Sequence, residues 1–528
     1  HDALPISIKR ADRHEGVYSA TISTAFYRVK TLSLFIRNHR IVSLLSVSIQ
    51  LNILLYRRAV EHHSNRLDCH NRCKGDIDLR NLVSKRSSFI VIALTLCLAL
   101  VLAGCGNASN SGNGASDGTS NNKVDSLSDP ANASGNLTVW GWDKAWFDGT
   151  AAKFNEKFPN IKLEFVEVSA GDYLKKIQTS IASGSELPDI IWAEAAFRGA
   201  LYELNVLQSL SGEPYNFDTS NLLDFELPLL TNSKGELVGL EQSGSPGALA
   251  YKRDLAKQYF GTDDPDELTA MFPDWDAFIA KGKEVYDKSG GKTFMLGSLM
   301  DAYTIFSNQG TTAIVDGTKV NTDEVLRMFT QLQSIRDNNG EGKLAMWSPT
   351  WNASYSQDNV IFYPAANWSP QFVIKPNDKD NKGRWGLMVP PEGGYPYGGT
   401  TIGIWKDSKN KDAAWVYLNW LLGTDEGAEA NFTTSDYILP LKSFFKDTSK
   451  LSSGADEFFG GQDLGKFWVE KVFPNMKSKA VTKYDQDIYS SSELVLQVMA
   501  QDKTFDAKQA LEKWEEQLKK NHPELTFE

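Results

Sequence analysis

The chain has 528 residues, with 55 Lys and Arg against 66 Asp and Glu for a formal net charge of −11, and it holds seven His, four Cys and 14 Trp. Such a length exceeds what one hydrophobic core serves and suits two domains. The acidic balance argues against nucleic acid as a partner, because phosphate binding depends on clustered Lys and Arg.

The charge is unevenly spread. Residues 1–104 contain 15 Lys and Arg against 7 Asp and Glu, six of the seven His and none of the Trp. The opening Ala3-Leu4-Pro5-Ile6-Ser7 is similar to a translated sequencing adapter, and residue 1 is His. Residues 1–82 are therefore expected to be non-native upstream translation, with the true start near Val83. The apolar run 41–56 is interrupted by Ser, Gln and Asn and makes a poor membrane segment.

Lys85-Arg86 opens a cationic segment, an apolar tract runs from Phe89 to Val101, and Leu102-Ala103-Gly104-Cys105 closes it. This is the layout of a secretory signal, too short to span a bilayer, which needs ~20 apolar residues. The closing tetrad resembles the lipobox of bacterial lipoproteins. That resemblance implies a signal peptide over 83–104, cleavage before Cys105, and lipid attachment at Cys105. Two or more acyl chains there would hold the protein to the cell membrane from outside the cytoplasm. Residues 105–135 follow as the lipidated Cys and a Ser-, Asn- and Gly-rich stretch that buries too little apolar surface to fold, hence a flexible linker.

From Cys105 onward the chain has 40 basic and 59 acidic residues, one Cys, and one His, His522. This excludes a disulfide framework and His-rich metal sites, and a lone His six residues from the end argues strongly against a Ser-His-Asp triad. No cofactor or metal is expected.

Asn136–Trp142 reads as a strand with Leu137 and Val139 on one face. Phe147, Ala151, Phe154 and Phe158 recur at helical spacing, Ile161–Val168 alternates as a second strand, and Tyr173, Ile177 and Ile181 mark a helix stopped by Gly184. Pro188–Trp192 is a short, buried strand. Strand–helix–strand–helix–strand predicts parallel βαβ units with right-handed crossovers, whose ligands sit beyond the C-terminal strand ends. Trp140–Asp143 and Trp192–Glu194 occupy those ends. Farther along, Glu236–Leu240, Ala248–Tyr251, Asn359–Tyr363 and Thr401–Trp405 read as strands, and Ser243–Gly247 as an extended crossing. Asn410 is expected to cap a helix carrying Ala414, Trp415, Leu418 and Leu422. Leu511, Trp514 and Leu518 mark a closing helix over 507–520.

Three motif look-alikes fail. Gly290-Gly291-Lys292-Thr293 lacks the first Gly of a phosphate loop, because residue 286 is Tyr. Ser243–Gly247 lacks a partner His for a nucleophile elbow. Asp378–Gly383 has Val389 where a calcium loop needs its bidentate Glu.

VWGWDKAWFDGTAAKFNEKFPNIKLEFVEV, LPDIIWAEAAFRGALYEL, ELVGLEQSGSPGALAYKRDLAKQYF, NVIFYPAANWSPQF and YGGTTIGIWKDSKNKDAAWVYLNWLLGTDEG follow one another in this order. As a set, over 136–528, they resemble the extracellular solute-binding proteins of carbohydrate ABC importers, the group that includes maltose-binding protein. The resemblance implies an α/β, two-lobed periplasmic-binding-protein-like fold with a multi-strand hinge and an interlobe ligand cleft. Lobe one would be 136–243 and 363–421, and lobe two 244–362 and 422–528. It further implies a carbohydrate ligand, delivery to ABC permease subunits served by a separate ATPase, a monomer, and no catalysis.

Sugars present apolar C–H faces ringed by hydroxyls, so a sugar cleft wants aromatic rings together with carboxylates and amides. By position in the family pattern the ligand contacts are Trp140, Trp142, Asp143, Trp192, Glu194, Trp368 and Tyr437. Asp301, Trp347, Trp351 and Tyr397 are candidates by cleft position. Asp189 is expected to be structural, and Trp405, Trp415, Trp420 and Trp514 fall at core spacing. Maltose is not implied, since Ser or Gly stands where maltose-binding protein has a carboxylate. Two alternatives remain: a lipid-anchored glycoside hydrolase or lyase with a carboxylate pair among the 59 acidic residues, and the same fold with a non-sugar solute.

Overall fold

Fully buried Leu137 and Val139 alternate with half-buried Thr138 and Trp140 along β1 (Gly135–Gly141), the period of a strand with one face in a core. The computed structural model describes Leu127 and residues 129–527. The upstream segment, the signal, Cys105 and most of the expected linker lie outside the described residues; the linker's described end forms a turn at Pro130–Asn132, buries Ala133 and enters β1 at Gly135. After β1 come α1 (Lys144–Lys157), β2 (Ile161–Glu167), α2 (Ala170–Ser183), β3 (Ile190–Glu194) and α3 (Arg198–Glu203). Gly184 ends α2 in the left-handed region, as its sequence position predicts.

The remaining main strands are β4 (Leu240–Glu241), β5 (Pro246–Lys252), β6 (Phe362–Ala366), β7 (Trp385–Met388), β8 (Tyr395–Pro396) and β9 (Thr400–Ile404). One sheet has the order β2-β1-β3-β9-β4. β1 runs parallel to β2 and β3, as the βαβ reading requires, while β9 is antiparallel to both β3 and β4. Thr400 opens β9 directly opposite Glu194, the last residue of β3. The ends of β1 and β3 and the start of β9 thus share one rim.

The second sheet is built on β5, with β6 along one edge and β7 and β8 along the other, all antiparallel. All seven residues of β5 are buried. Ala248 and Ala250 belong to a core shared with the first sheet, and Leu249 and Tyr251 to a separate core of the second lobe.

Segment 363–397, expected in lobe one, supplies β6, β7 and β8 to the second sheet, because β5 presents two ladder edges that these strands satisfy. The helix at Asp425–Ser435, expected in lobe two, packs on α1 instead. There Asn431 Oδ1 accepts from Trp146 Nε1 at 2.7 Å, and Asn431 Nδ2 donates to the Leu421 and Gly427 carbonyls.

Asn410 precedes the helix Lys411–Gly423 but makes no side-chain cap. Its Nδ2 donates to Asp189 Oδ1, while Asp189 Oδ2 accepts from the Thr138 amide at 2.9 Å and ties β1 to the start of β3. Asp189 is structural. Trp415, Trp420 and Trp514 are buried packing residues. Among the described residues no helix is long and apolar enough to cross a membrane.

Candidate functional site

The chain leaves β1 at Gly141 with no room for a side chain: a Cβ there would sit 2.6 Å from the Trp192 ring. Trp192 therefore lies flat under the strand end, and Trp142, the next residue, is braced on it. The Trp142 indole meets Tyr173, Trp192 and Phe197 edge-on at centroid distances of 5.3, 5.2 and 6.2 Å. Edge-to-face contacts of this kind fix a ring's orientation as well as burying it. The Tyr173 hydroxyl, fully buried, donates to the Trp140 carbonyl and accepts from the Trp192 amide, which joins the two strand ends.

Asp143 follows as the N-cap of α1. Its Oδ1 accepts from the Trp146 amide at 3.0 Å, and its Oδ2 accepts from the Tyr437 hydroxyl at 3.0 Å. Burial, with the Asp143 carboxylate alongside, pushes the Tyr437 hydroxyl pKa up, so the phenol stays protonated and donates. At the end of β3, Glu194 Oε2 accepts from the Ala196 amide at 2.8 Å. Burial raises the Glu194 pKa against opposing pulls from that amide and from Arg198.

The crossing into β5 forms the floor. The Gln242 amide donates to the Thr400 carbonyl, while its side-chain Nε2, buried, finds no acceptor among the described residues. Asn367 Nδ2 donates to Ser243 Oγ at 2.9 Å and pins the crossing to the loop after β6. Behind the floor lies a buried ion pair, Arg198 with Glu241, at 3.0 Å and with both side chains 2% exposed. Gly399 separates that pair from the cavity. It adopts a left-handed φ of 103°, and a Cβ there would fall 2.6 Å from Glu241 Oε1. Glu226 is also fully buried nearby, with neither carboxylate oxygen partnered among the described residues. Burial and the adjacent Glu241 hold its pKa well above the ordinary value.

The second lobe supplies the opposite wall. Trp368 Nε1 donates to the Tyr397 carbonyl at 3.0 Å and its ring packs 5.1 Å from the Tyr397 ring. Phe372, on the turn Pro370–Ile374, is 58% exposed. Between the walls is a cavity of about 290 Å³, lined by Trp142, Asp143 and Glu194 on one side and Trp368 and Phe372 on the other. Gln242, Ser243, Ser245, Gly398, Gly399, Thr400 and Tyr437 complete it. Among the described residues no Lys or Arg lines it. A larger hollow of about 720 Å³ lies elsewhere, among Phe272, Arg327, Pro390 and Lys477. None of the expected contacts lines it, and its Arg327 is already paired with Glu324 at 2.7 Å.

Five of the eight expected contacts, Trp142, Asp143, Glu194, Trp368 and Tyr437, come together in the smaller cavity. Three do not line it. Trp192 is 0% exposed and backs Trp142, so it offers no free face. Trp140 stands one residue before the strand's end, and Lys176 Nζ covers its ring at 4.1 Å. Asp301 is fully buried in the capping box of the helix Leu299–Phe306, where it accepts from the Ser298 amide at 3.0 Å and from Trp351 Nε1 at 3.1 Å; burial pushes its pKa up to about 7.

Gln242, Ser245, Gly399, Thr400 and Phe372 are lining residues that the sequence reading did not single out. Ser243–Gly247 carried a usable signal, since a crossing between two buried strands must pass the cleft floor. Phe372 carried none. Among the described residues no group of three or more His, Cys, Asp or Glu is arranged to hold a metal.

Residues 149–455 match the family model described as bacterial extracellular solute-binding protein. A lactose-binding protein of Rhizobium radiobacter is 24% identical over 348 residues, 62% of this chain and 80% of that protein. Among solved structures, an extracellular solute-binding protein of family 1 superposes with a TM-score of 0.66 at 21% identity, covering 72% of this chain and 99% of its own. The galacto-N-biose/lacto-N-biose I-binding protein of a Bifidobacterium longum ABC transporter, in complex with lacto-N-biose, gives 0.60 at 19%, covering 75% and 99%. These structures share its two-lobed fold.

Proposed function

The chain belongs to the bacterial extracellular solute-binding protein family, and on that premise we propose that it captures a neutral sugar outside the cytoplasm and hands it to an ABC importer. One observation carries the reading: Trp142 and Trp368 face a single cavity from two lobes, with Asp143, Glu194 and Gln242 Nε2, unpartnered among the described residues, between them. Indole faces suit the C–H faces of a pyranose, and the polar groups suit its hydroxyls. Two carboxylates with no cation in the lining disfavour sulfated, phosphorylated or uronic ligands, whose charge would be desolvated against like charge. The sugars in the names of the relatives, lactose and lacto-N-biose, are neutral as well.

The same groups support binding without turnover. Both oxygens of Asp143 are engaged, one by a helix amide and one by Tyr437, which suits a fixed acceptor better than a proton carrier. The lobes close on the sugar about the crossings, and the closed form presents the face that the permease pair reads. A lipid at Cys105 keeps the monomer near that permease.

The test is a panel of neutral and anionic glycans, read by thermal shift and by assay for new reducing ends. A shift with neutral glycans and no new reducing ends is the expected result. Catalytic release of product overturns the reading in favour of a carbohydrate-active enzyme. The absence of a shift with every glycan overturns the sugar assignment.

A further inference from the structure

Trp347 is 48% exposed, a large indole turned out of the second lobe. Its backbone is left-handed, with φ of 65°, a conformation that a bulky side chain rarely takes. The same loop holds two more non-glycine residues in that region, Asn339 at 53° and Lys343 at 56°. Strain of this kind persists only where the surroundings impose it, and it gathers at ligand clamps.

The surroundings here are specific. The Trp347 ring rests on Trp351 at 5.0 Å and lies nearly parallel to Trp368, at 27° and 6.4 Å between centroids. Trp351 is fully buried, and its Nε1 donates to the buried carboxylate of Asp301. The Ser348 hydroxyl accepts from the Trp351 amide and starts the helix Pro349–Ser354 immediately after the exposed ring. A buried base therefore holds an exposed indole beside Trp368, one of the two aromatics that line the cavity from the segment after β6.

We propose that Trp347 is a second stacking platform, so that the ligand is a neutral saccharide of two or more rings, one enclosed and the next lying on Trp347. The proposal rests on the sugar-binding reading and extends it to chain length. The enclosed volume, about 290 Å³, sits at the lower bound of ~300–1,000 Å³ for small-molecule sites. A longer glycan must project from it, and Trp347 continues the aromatic wall past Trp368. Asp301 then acts as a positioning residue, through Trp351, without touching the ligand.

The experiment is calorimetric titration of the native protein, Trp347→Ala, Trp347→Phe and Trp368→Ala with galactose, lactose, lacto-N-biose, maltose and maltotriose, together with melting of each ligand-free protein. Trp347→Ala is expected to weaken the bound disaccharide or trisaccharide by ~5- to 150-fold, the span of a lost aromatic platform. It should leave monosaccharide affinity and the ligand-free melting temperature unchanged. Trp347→Phe should restore most of the loss, and Trp368→Ala should weaken every ligand. If Trp347→Ala leaves disaccharides and trisaccharides unaffected while Trp368→Ala weakens them, the platform is refuted and the sugar reading stands. Equal losses for monosaccharide and disaccharide also refute the platform. Failure of the native protein to bind any of the sugars overturns both.

Discussion

Replacing Arg198 by Met removes the cation from a buried cluster and leaves its size nearly unchanged. Arg198 pairs with Glu241 at 3.0 Å, and fully buried Glu226 stands nearby without a hydrogen-bond partner among the described residues. Breaking a buried pair by removing one member costs ~3–5 kcal/mol, because the charge left behind has lost its compensation. Here two carboxyls are left facing each other. Burial already raises both pKa values, and Arg198 opposes that rise in each, joined at Glu241 by hydrogen bonds from Thr400 and Thr401. In Arg198→Met both rise further above the unfolded value of ~4.3. A carboxyl raised by folding contributes stability that is complete below its unfolded pKa and is lost as pH climbs through the folded one. The variant should therefore lose little at pH 5 and most at pH 8. Urea unfolding of the native protein, Arg198→Met and Arg198→Met/Glu241→Met at both pH values measures this. The double variant should recover stability at pH 8. Equal penalties at the two pH values, or a double variant no better than the single, would refute the electrostatic account.

Trp192→Ala and Trp368→Ala should separate a backing ring from a lining ring. The first is expected to cost ~3–5 kcal/mol of folding stability, as for a core Trp. The second should cost chiefly sugar affinity, with melting and titration as the paired readouts. Burial also raises Asp301 and Glu341, each to about 7. Their contribution to stability is present at low pH and lost as pH rises through about 7, so Glu341→Gln should flatten the fall in melting temperature of the ligand-free protein between pH 5 and pH 8.

Local periodicity revealed the first lobe because its information is local. Leu137 and Val139 fix the face of β1, and the rule that ligands lie beyond parallel strand ends then brings Trp142, Asp143 and Glu194 together. Trp192 escaped that logic: in a strand buried on both sides, the sequence does not distinguish a ring that lines a cleft from one that backs its neighbour. Asp301 was an acidic residue near the right place, and only the Ser298 pairing reveals it as a cap. The pairing of 362–366 and 385–388 with β5 was not legible because these ladder partners lie more than a hundred residues away, a separation at which chain order carries no pairing signal. The floor was missed for a related reason. Gln242 and Ser243 acquire their role from Thr400 and Asn367, which reach them only in the fold.

The two walls of the cleft differ in how freely they can be altered over generations. On the first, Trp142 is wedged among three rings and Gly141 has no space to give, so exchanging one residue displaces several. On the second, Phe372 and Trp347 stand out from the surface, where a new side chain meets little but solvent and ligand. Descendants of this protein that shift to another glycan should carry their substitutions on that outward wall, while the interlocked indoles opposite stay as they are.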